Sequence, residues 1–154
     1  QLKAYQIPEA SRTARGTAIV NLLQLQPGET IATAMVLEET EGEANLLMAT
    51  KKGMIKKTPL TDFNNIRQTG IIAIGLREDD ELIDADLTDG KREIVLISRD
   101  GHSIRFNEEE VRPTGRSSMG VTGMKLIDDD EVITLAIDSQ GECILFATEN
   151  HTVD

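Results

Sequence analysis

Tryptophan is absent, tyrosine occurs once and phenylalanine three times among 154 residues. An aromatic core is therefore excluded, and any interior must be filled by Leu, Ile, Val, Met and Ala. A single cysteine, Cys143, excludes an intramolecular disulfide, and its setting in Cys143-Ile144-Leu145-Phe146 predicts a buried strand residue rather than a reactive thiol. A reducing, cytoplasmic setting is expected. No apolar run approaches the roughly 18 residues of a membrane span, and Gln1-Leu2-Lys3-Ala4 begins no signal peptide, so no membrane partner is expected. Long segments with apolar positions at helical spacing are also missing, although Thr61 to Ile66 has the makings of a turn. Catalytic patterns are missing too. No Ser/His/Asp order, nucleophile elbow, phosphate-binding glycine loop or metal-ligand spacing occurs, and His102 and His151 each follow a predicted hairpin apex. Asp128-Asp129-Asp130-Glu131 lacks the alternating oxygen ligands and central glycine of a calcium loop. Neither an active site nor a cofactor or metal is expected.

What is present is a repeat. Asn45-Leu46-Leu47-Met48-Ala49-Thr50-Lys51-Lys52-Gly53 aligns with Glu93-Ile94-Val95-Leu96-Ile97-Ser98-Arg99-Asp100-Gly101, and Glu142-Cys143-Ile144-Leu145-Phe146-Ala147-Thr148 begins a third copy. A second landmark, an acidic turn followed by Glu-x-Ile, recurs at Ile31, Ile83 and Ile133, which are 52 and 50 residues apart. Two landmarks with one period mark a stacked or radial architecture, whose units bury their apolar faces only against neighbours.

Each unit reads as four short strands. In one copy these are Leu46 to Thr50, Met54 to Thr58, Ile71 to Leu76 and Glu81 to Leu87; in the next, Ile94 to Ser98, His102 to Phe106, Val121 to Leu126 and Val132 to Ile137. The expected fold is all-β, a β-propeller or β-pinwheel of four-stranded antiparallel blades, about three per chain. One repeat domain, 1–154, would comprise a blade at 45–93, a blade at 94–142 and a split blade formed by 143–154 and 1–44. Three blades are too few to close a ring. Two explanations stay open: a fragment of a longer propeller, or two chains meeting head to tail as a homodimer that shares split blades.

Acids outnumber bases 27 to 16, a net charge of −11 that argues against a polyanionic partner. The charges are sorted, however. Residues 10–26, 63–77 and 111–127 carry arginines or lysine and no acid, and Lys51 to Lys57 holds four lysines, while acids gather at 38–43, 78–89, 108–110 and 128–131. If the repeats are arranged alike, one rim is basic and the other surfaces are acidic.

Ala4-Tyr5-Gln6-Ile7-Pro8-Glu9-Ala10-Ser11-Arg12-Thr13-Ala14-Arg15-Gly16, with Ile19-Val20-Asn21-Leu22-Leu23 after it, closely resembles the C-terminal domain of the DNA gyrase A subunit. So do Met48-Ala49-Thr50-Lys51-Lys52-Gly53 with Lys56-Lys57-Thr58, and Ile104-Arg105-Phe106 with Val111-Arg112-Pro113-Thr114-Gly115-Arg116. The resemblance covers essentially the whole chain and favours gyrase over the topoisomerase IV A subunit. It implies a six-bladed pinwheel with strand exchange between blades, which wraps duplex DNA on a basic rim so that strand passage elsewhere in the enzyme gives negative supercoils. The implied partners are double-stranded DNA and the rest of gyrase A with gyrase B. The family's Gln-Arg-Arg-Gly-Gly-basic-Gly box does not occur; Arg12 to Gly16, Arg67 to Gly70 and Arg116 to Gly120 keep its Arg and Gly. The catalytic tyrosine's domain is also absent, so Tyr5 inherits no such role, and the chain is expected to be the non-catalytic part of an ATP-dependent type II topoisomerase.

Elementary electrostatics leads to the same partner. Cations on a curved edge neutralise phosphates and release counterions, giving salt-sensitive affinity with little base preference. The DNA-binding candidates are Arg12, Arg15, Lys51, Lys52, Lys56, Lys57, Arg67, Arg112 and Arg116. The competing reading is a protein-interaction propeller that uses its acidic faces, which the net charge of −11 favours.

Overall fold

A computed structural model describes residues 1–4, 9–16, 23–36, 43–67 and 69–138. Its first sheet holds β1 (Asn45–Thr50), β2 (Met54–Pro59), β3 (Leu82–Thr88) and β6 (Val121–Thr122) in the order β3-β1-β2-β6; its second holds β4 (Glu93–Ser98), β5 (Ser103–Asn107) and β7 (Val132–Ile137) in the order β5-β4-β7. All strand pairings within these sheets are antiparallel. Among the described residues the only helical pieces are single 3-10 turns, Leu60–Phe63 and Glu108–Glu110.

The unbroken apolar run Leu46 to Ala49 follows from the position of β1. It is an inner strand buried on both faces, so alternate residues serve different cores. Leu47 and Ala49 join Ile55, Ile94, Leu96, Val111, Met124, Val132 and Leu135 between the two sheets. Leu46 and Met48 point the other way, into a cluster with Phe63, Ala73 and Ala85 that also takes up Leu2 and Ile71.

The sequence reading kept each unit's four strands in one blade, and the pairing corrects this. Val121 and Thr122 pair with Ile55 and Met54 of the preceding sheet, and the strand predicted through Leu126 ends at Thr122. The predicted strand Ile71 to Leu76 reduces to one antiparallel bridge between Ile71 and Leu2. Leu2 pairs with Ile71, the residue after the positive-φ Gly70, as Ile55 pairs with Val121, the residue after the positive-φ Gly120, so the same exchange occurs at two successive junctions. The third copy at 142–154 lies outside the described residues, as do Tyr5 and Cys143.

Glycine makes the exchange sterically allowed. Gly120 has φ 82°, and a Cβ there would lie 2.3 Å from the Ile55 carbonyl oxygen and 2.8 Å from the Lys56 Cβ. Gly101, at φ 88°, has nothing within 4 Å. Gly101→Ala therefore costs only the left-handed penalty, about 1–2 kcal/mol, whereas Gly120→Ala must also push two backbones apart and costs about 3 kcal/mol or more. Urea unfolding of the two variants checks the difference; equal midpoints would contradict it.

The sequence landmarks are polar clasps. Thr50 Oγ1 donates to Asp80 Oδ2 at 2.7 Å, and the amides of Lys52 and Glu81 donate to Asp80 Oδ1 at 3.0 and 2.8 Å. One repeat later, Asp130 Oδ1 accepts from the amides of Asp100 and Glu131 at 3.0 and 2.8 Å. Each clasp fastens a hairpin apex to the acidic turn. The isoleucine of Glu-x-Ile sits at a bulge: the pairing jumps from Thr50↔Leu82 to Ala49↔Asp84 and from Ser98↔Val132 to Ile97↔Thr134, which leaves Ile83 and Ile133 as the extra residues.

Burial pushes the Asp130 carboxyl up, but the Ser98 hydroxyl, the Asp100 and Glu131 amides and the His102 ring outweigh burial and hold it below the usual aspartate range. A carboxyl lowered by folding adds stability above its unfolded value, and that stability is lost as pH falls through the folded value. Asp130→Asn removes this titration. In denaturant melts from pH 6 down to about 2.5, the variant's midpoint should fall less than that of the wild type over the acid end.

Candidate nucleic-acid interface

The basic side chains divide into three environments. Arg12 and Arg15 lie on an exposed loop whose turn closes with Ala14 N–H donating to the Ser11 carbonyl at 3.0 Å. Arg67 is exposed on the segment that leads to the Ile71 bridge. Arg112 is exposed and Arg116 half-buried on the equivalent segment before β6. Among the described residues none of these five makes an ion pair.

The Arg116 segment is bound to β2, where the Thr114 amide donates to the Lys57 carbonyl at 2.9 Å, and to the Arg67 segment, whose Gly75 amide donates to the Ser118 carbonyl at 2.9 Å. Arg67 and Arg116 thus stand along the edges where exchanged strands join, one per junction, on acid-free loops.

Lys51 and Lys52 occupy the β1–β2 hairpin apex, beside the acidic turns. Lys51 Nζ lies 3.6 Å from Glu131 Oε1 and Lys52 Nζ 3.7 Å from Asp79 Oδ2. Their charge is partly matched within the protein.

Lys56 and Lys57 are a correction. Both lie in β2, an inner strand, and are 0% and 5% exposed, so neither ammonium reaches a phosphate. Lys56 Nζ donates to the carbonyls of Ala73 at 2.7 Å and Arg116 at 2.6 Å. Burial, with a smaller push from Arg116, lowers this ammonium to about 8, against the pull of Asp62. Lys57 points to the opposite face, where Nζ donates to the Glu108 carbonyl at 2.8 Å and lies 3.9 Å from Glu108 Oε2.

Glu108 is a residue that the sequence reading missed. Fully buried, its carboxylate accepts from Thr88 Oγ1 at 2.6 Å and from the Arg92 amide at 2.7 Å, joining the end of β3 to the start of β4. Lys3, at the repeat position of Lys56, is the second. Its Nζ donates to the Gln24 carbonyl and to Glu29 Oε2 at 3.0 Å. The recurrence of a lysine at both positions was the available signal that the role is structural.

Between the Arg67 segment and the Arg116 loop lies an open cleft of about 550 Å³, lined by Asn64, Asn65, Arg67, Ile72, Arg116 and Ser117, among others. Among the described residues no carboxylate lines it. Among the described residues no group of three or more His, Cys, Asp or Glu is placed to hold a metal, and no helix is long and apolar enough to cross a membrane.

The family described as "DNA gyrase C-terminal domain, beta-propeller" matches residues 1–38, 44–89 and 92–137. The DNA gyrase A subunit of Haloquadratum walsbyi is 51% identical over 97% of the chain, and that of Salmonella typhimurium 48% identical over 97%. The chain spans only 18% and 17% of the lengths of those two relatives. Among solved structures, the C-terminal domain of DNA topoisomerase IV superposes with a TM-score of 0.74 at 31% identity, covering 81% of this chain and 39% of that one. The DNA gyrase A C-terminal domain gives 0.69 at 30% identity, covering 79% and 40%.

Proposed function

Because the chain belongs to the DNA gyrase C-terminal β-propeller family, we propose that it binds duplex DNA without sequence preference and bends or wraps it along its arginine loops, so that a type II topoisomerase introduces negative supercoils. The observation that carries this reading is the repeated placement of acid-free loops at successive blade junctions, with Arg12, Arg15, Arg67 and Arg112 exposed. Guanidinium groups pair with phosphate oxygens through a planar fork of donors, which suits them to this contact. Bending a stiff duplex by 40–90° costs about 1–6 kcal/mol in elastic terms. Several contacts in series are needed to offset it, and the repeat supplies them.

The cleavage chemistry and ATP use belong to other domains. The partners are double-stranded DNA, the rest of gyrase A and gyrase B, in the cytoplasm. Within the chain, the repeat domain of 1–154 divides into repeat units 45–93 and 94–142 and the split unit of 143–154 with 1–44, and units 45–93 and 94–142 each pair a segment, at Ile71 and at Val121–Thr122, with the unit before.

A second reading, a protein-interaction module, draws on the net charge of −11 and the exposed acids Asp79, Asp128 and Asp129. A linking-number assay separates the two. Relaxed plasmid is incubated with the protein and a nicking-closing enzyme, then stripped. A shifted topoisomer distribution is expected, and an unchanged one at saturating protein would overturn wrapping.

A further inference from the structure

The cleft between Arg67 and Arg116 is built from two successive repeats. Arg67 belongs to the segment that joins β2 to the Ile71 bridge, and Arg116 to the corresponding segment one repeat later. Both arginines line one cavity, together with Asn64, Asn65 and Ser117. Every polar side chain among the described lining residues carries a hydrogen-bond donor, and none is an acid. In a chain with net charge −11, such a cavity selects an anion.

Its walls are fixed from behind. The Lys56 ammonium donates to Ala73 O on one wall's segment and to Arg116 O on the other, at 2.7 and 2.6 Å. Arg116 Nη1 lies 3.5 Å from the Ile72 carbonyl, so the second wall leans on the first. The Gly75 amide, donating to Ser118 O at 2.9 Å, adds another tie. Lys56 is 0% exposed and cannot touch a ligand in the cleft. What it holds is the main chain of Arg116.

We propose that this cleft is a phosphodiester-binding site shared by two repeats, in which Arg67 and Arg116 take the same backbone phosphate and Lys56 is the positioning residue that sets their separation. The site rests on the duplex-binding reading given above and adds a stoichiometry to it: one phosphate in this cleft, held by two arginines from successive repeats.

The test is fluorescence anisotropy of a labelled 40-base-pair duplex against salt, with the full chain carrying Arg67→Ala, Arg116→Ala, both together, and Lys56→Met alone and with Arg116→Ala. One phosphate contact contributes about 0.9 to the slope of log K against log salt. If the two arginines share a phosphate, each single variant lowers the slope by less than that amount and the double variant lowers it by about 0.9 in all. Two separate phosphates give about 1.8 in the double variant, and that result overturns the proposal. Lys56→Met is expected to weaken binding as Arg116→Ala does, and to add no further loss to it. Full additivity of the two would remove the positioning role. Circular dichroism melts accompany each variant; if Lys56→Met does not fold, the two arginines still decide the shared site. A wild-type chain without salt-dependent binding refutes the duplex reading itself, an outcome distinct from additive losses in a chain that binds.

Discussion

Replacing Arg12, Arg15, Arg67, Arg112 and Arg116 together by glutamine reduces duplex affinity on the order of 10³-fold near 50 mM salt and flattens its salt dependence by about 4. The loss is large because these side chains lie on acid-free loops and make no ion pairs among the described residues, so each phosphate contact is lost in full. Neutralising Lys51 and Lys52 is the informative contrast. Those ammonium groups already face Glu131 and Asp79 at 3.6 and 3.7 Å, and their removal should change affinity less than about threefold, since exposed pairs are weak and largely screened. A protein that loses binding with the two lysines and keeps it without the five arginines would place DNA at the hairpin apices instead. Circular dichroism should stay unchanged in both, as none of the seven is a core residue.

Glu108→Ala is the change expected to damage stability most. It removes the carboxylate that accepts from Thr88 and Arg92 and leaves Lys57, 5% exposed, as an uncompensated buried cation. Breaking one side of such a pair costs about 3–5 kcal/mol. For a chain of this size that lowers Tm by about 10 °C. Glu108→Leu with Lys57→Met tests the origin of the loss. Both charges then disappear, and the double variant should recover much of the stability that Glu108→Ala loses, because desolvating an ion pair offsets most of its attraction. If the double variant is as unstable as the single one, the Thr88 and Arg92 hydrogen bonds, rather than the lysine, carry the effect. Calorimetric melts of the three proteins decide between these.

The repeat was legible in the sequence because its landmarks have local causes. Thr50 and Ser98 stand at the ends of inner strands where a hydroxyl meets an aspartate of the acidic turn, and Ile83 and Ile133 are bulge residues whose position the turn fixes. Any copy of the unit needs the same residue types there. Strand exchange was not legible from periodicity. Val121 and Thr122 have the same pattern whether they pair with their own sheet or with Met54 and Ile55, and only the partner differs. Resemblance alone supplied that feature.

The candidate site was legible where charge is exposed and illegible where it is buried. Arg12, Arg67 and Arg112 sit in loops, and the lack of neighbouring acids is a sequence fact. Lys56 and Lys57 read as part of a basic cluster because four lysines fall within seven residues. Their partners lie 17, 60 and 51 residues away, at Ala73, Arg116 and Glu108. No local pattern reports a lysine satisfied at that range. The same distance hides the meeting of Arg67 with Arg116 across one cleft.

The salt dependence of wild-type binding to two duplexes of unrelated sequence tests the central claim most directly. The account predicts equal affinities at each salt concentration and a slope of log K against log salt between about −3 and −5, from the phosphates that five arginines engage. Binding with a slope near zero, or affinities that differ strongly between the two sequences, would contradict an interface made by arginines on backbone phosphates.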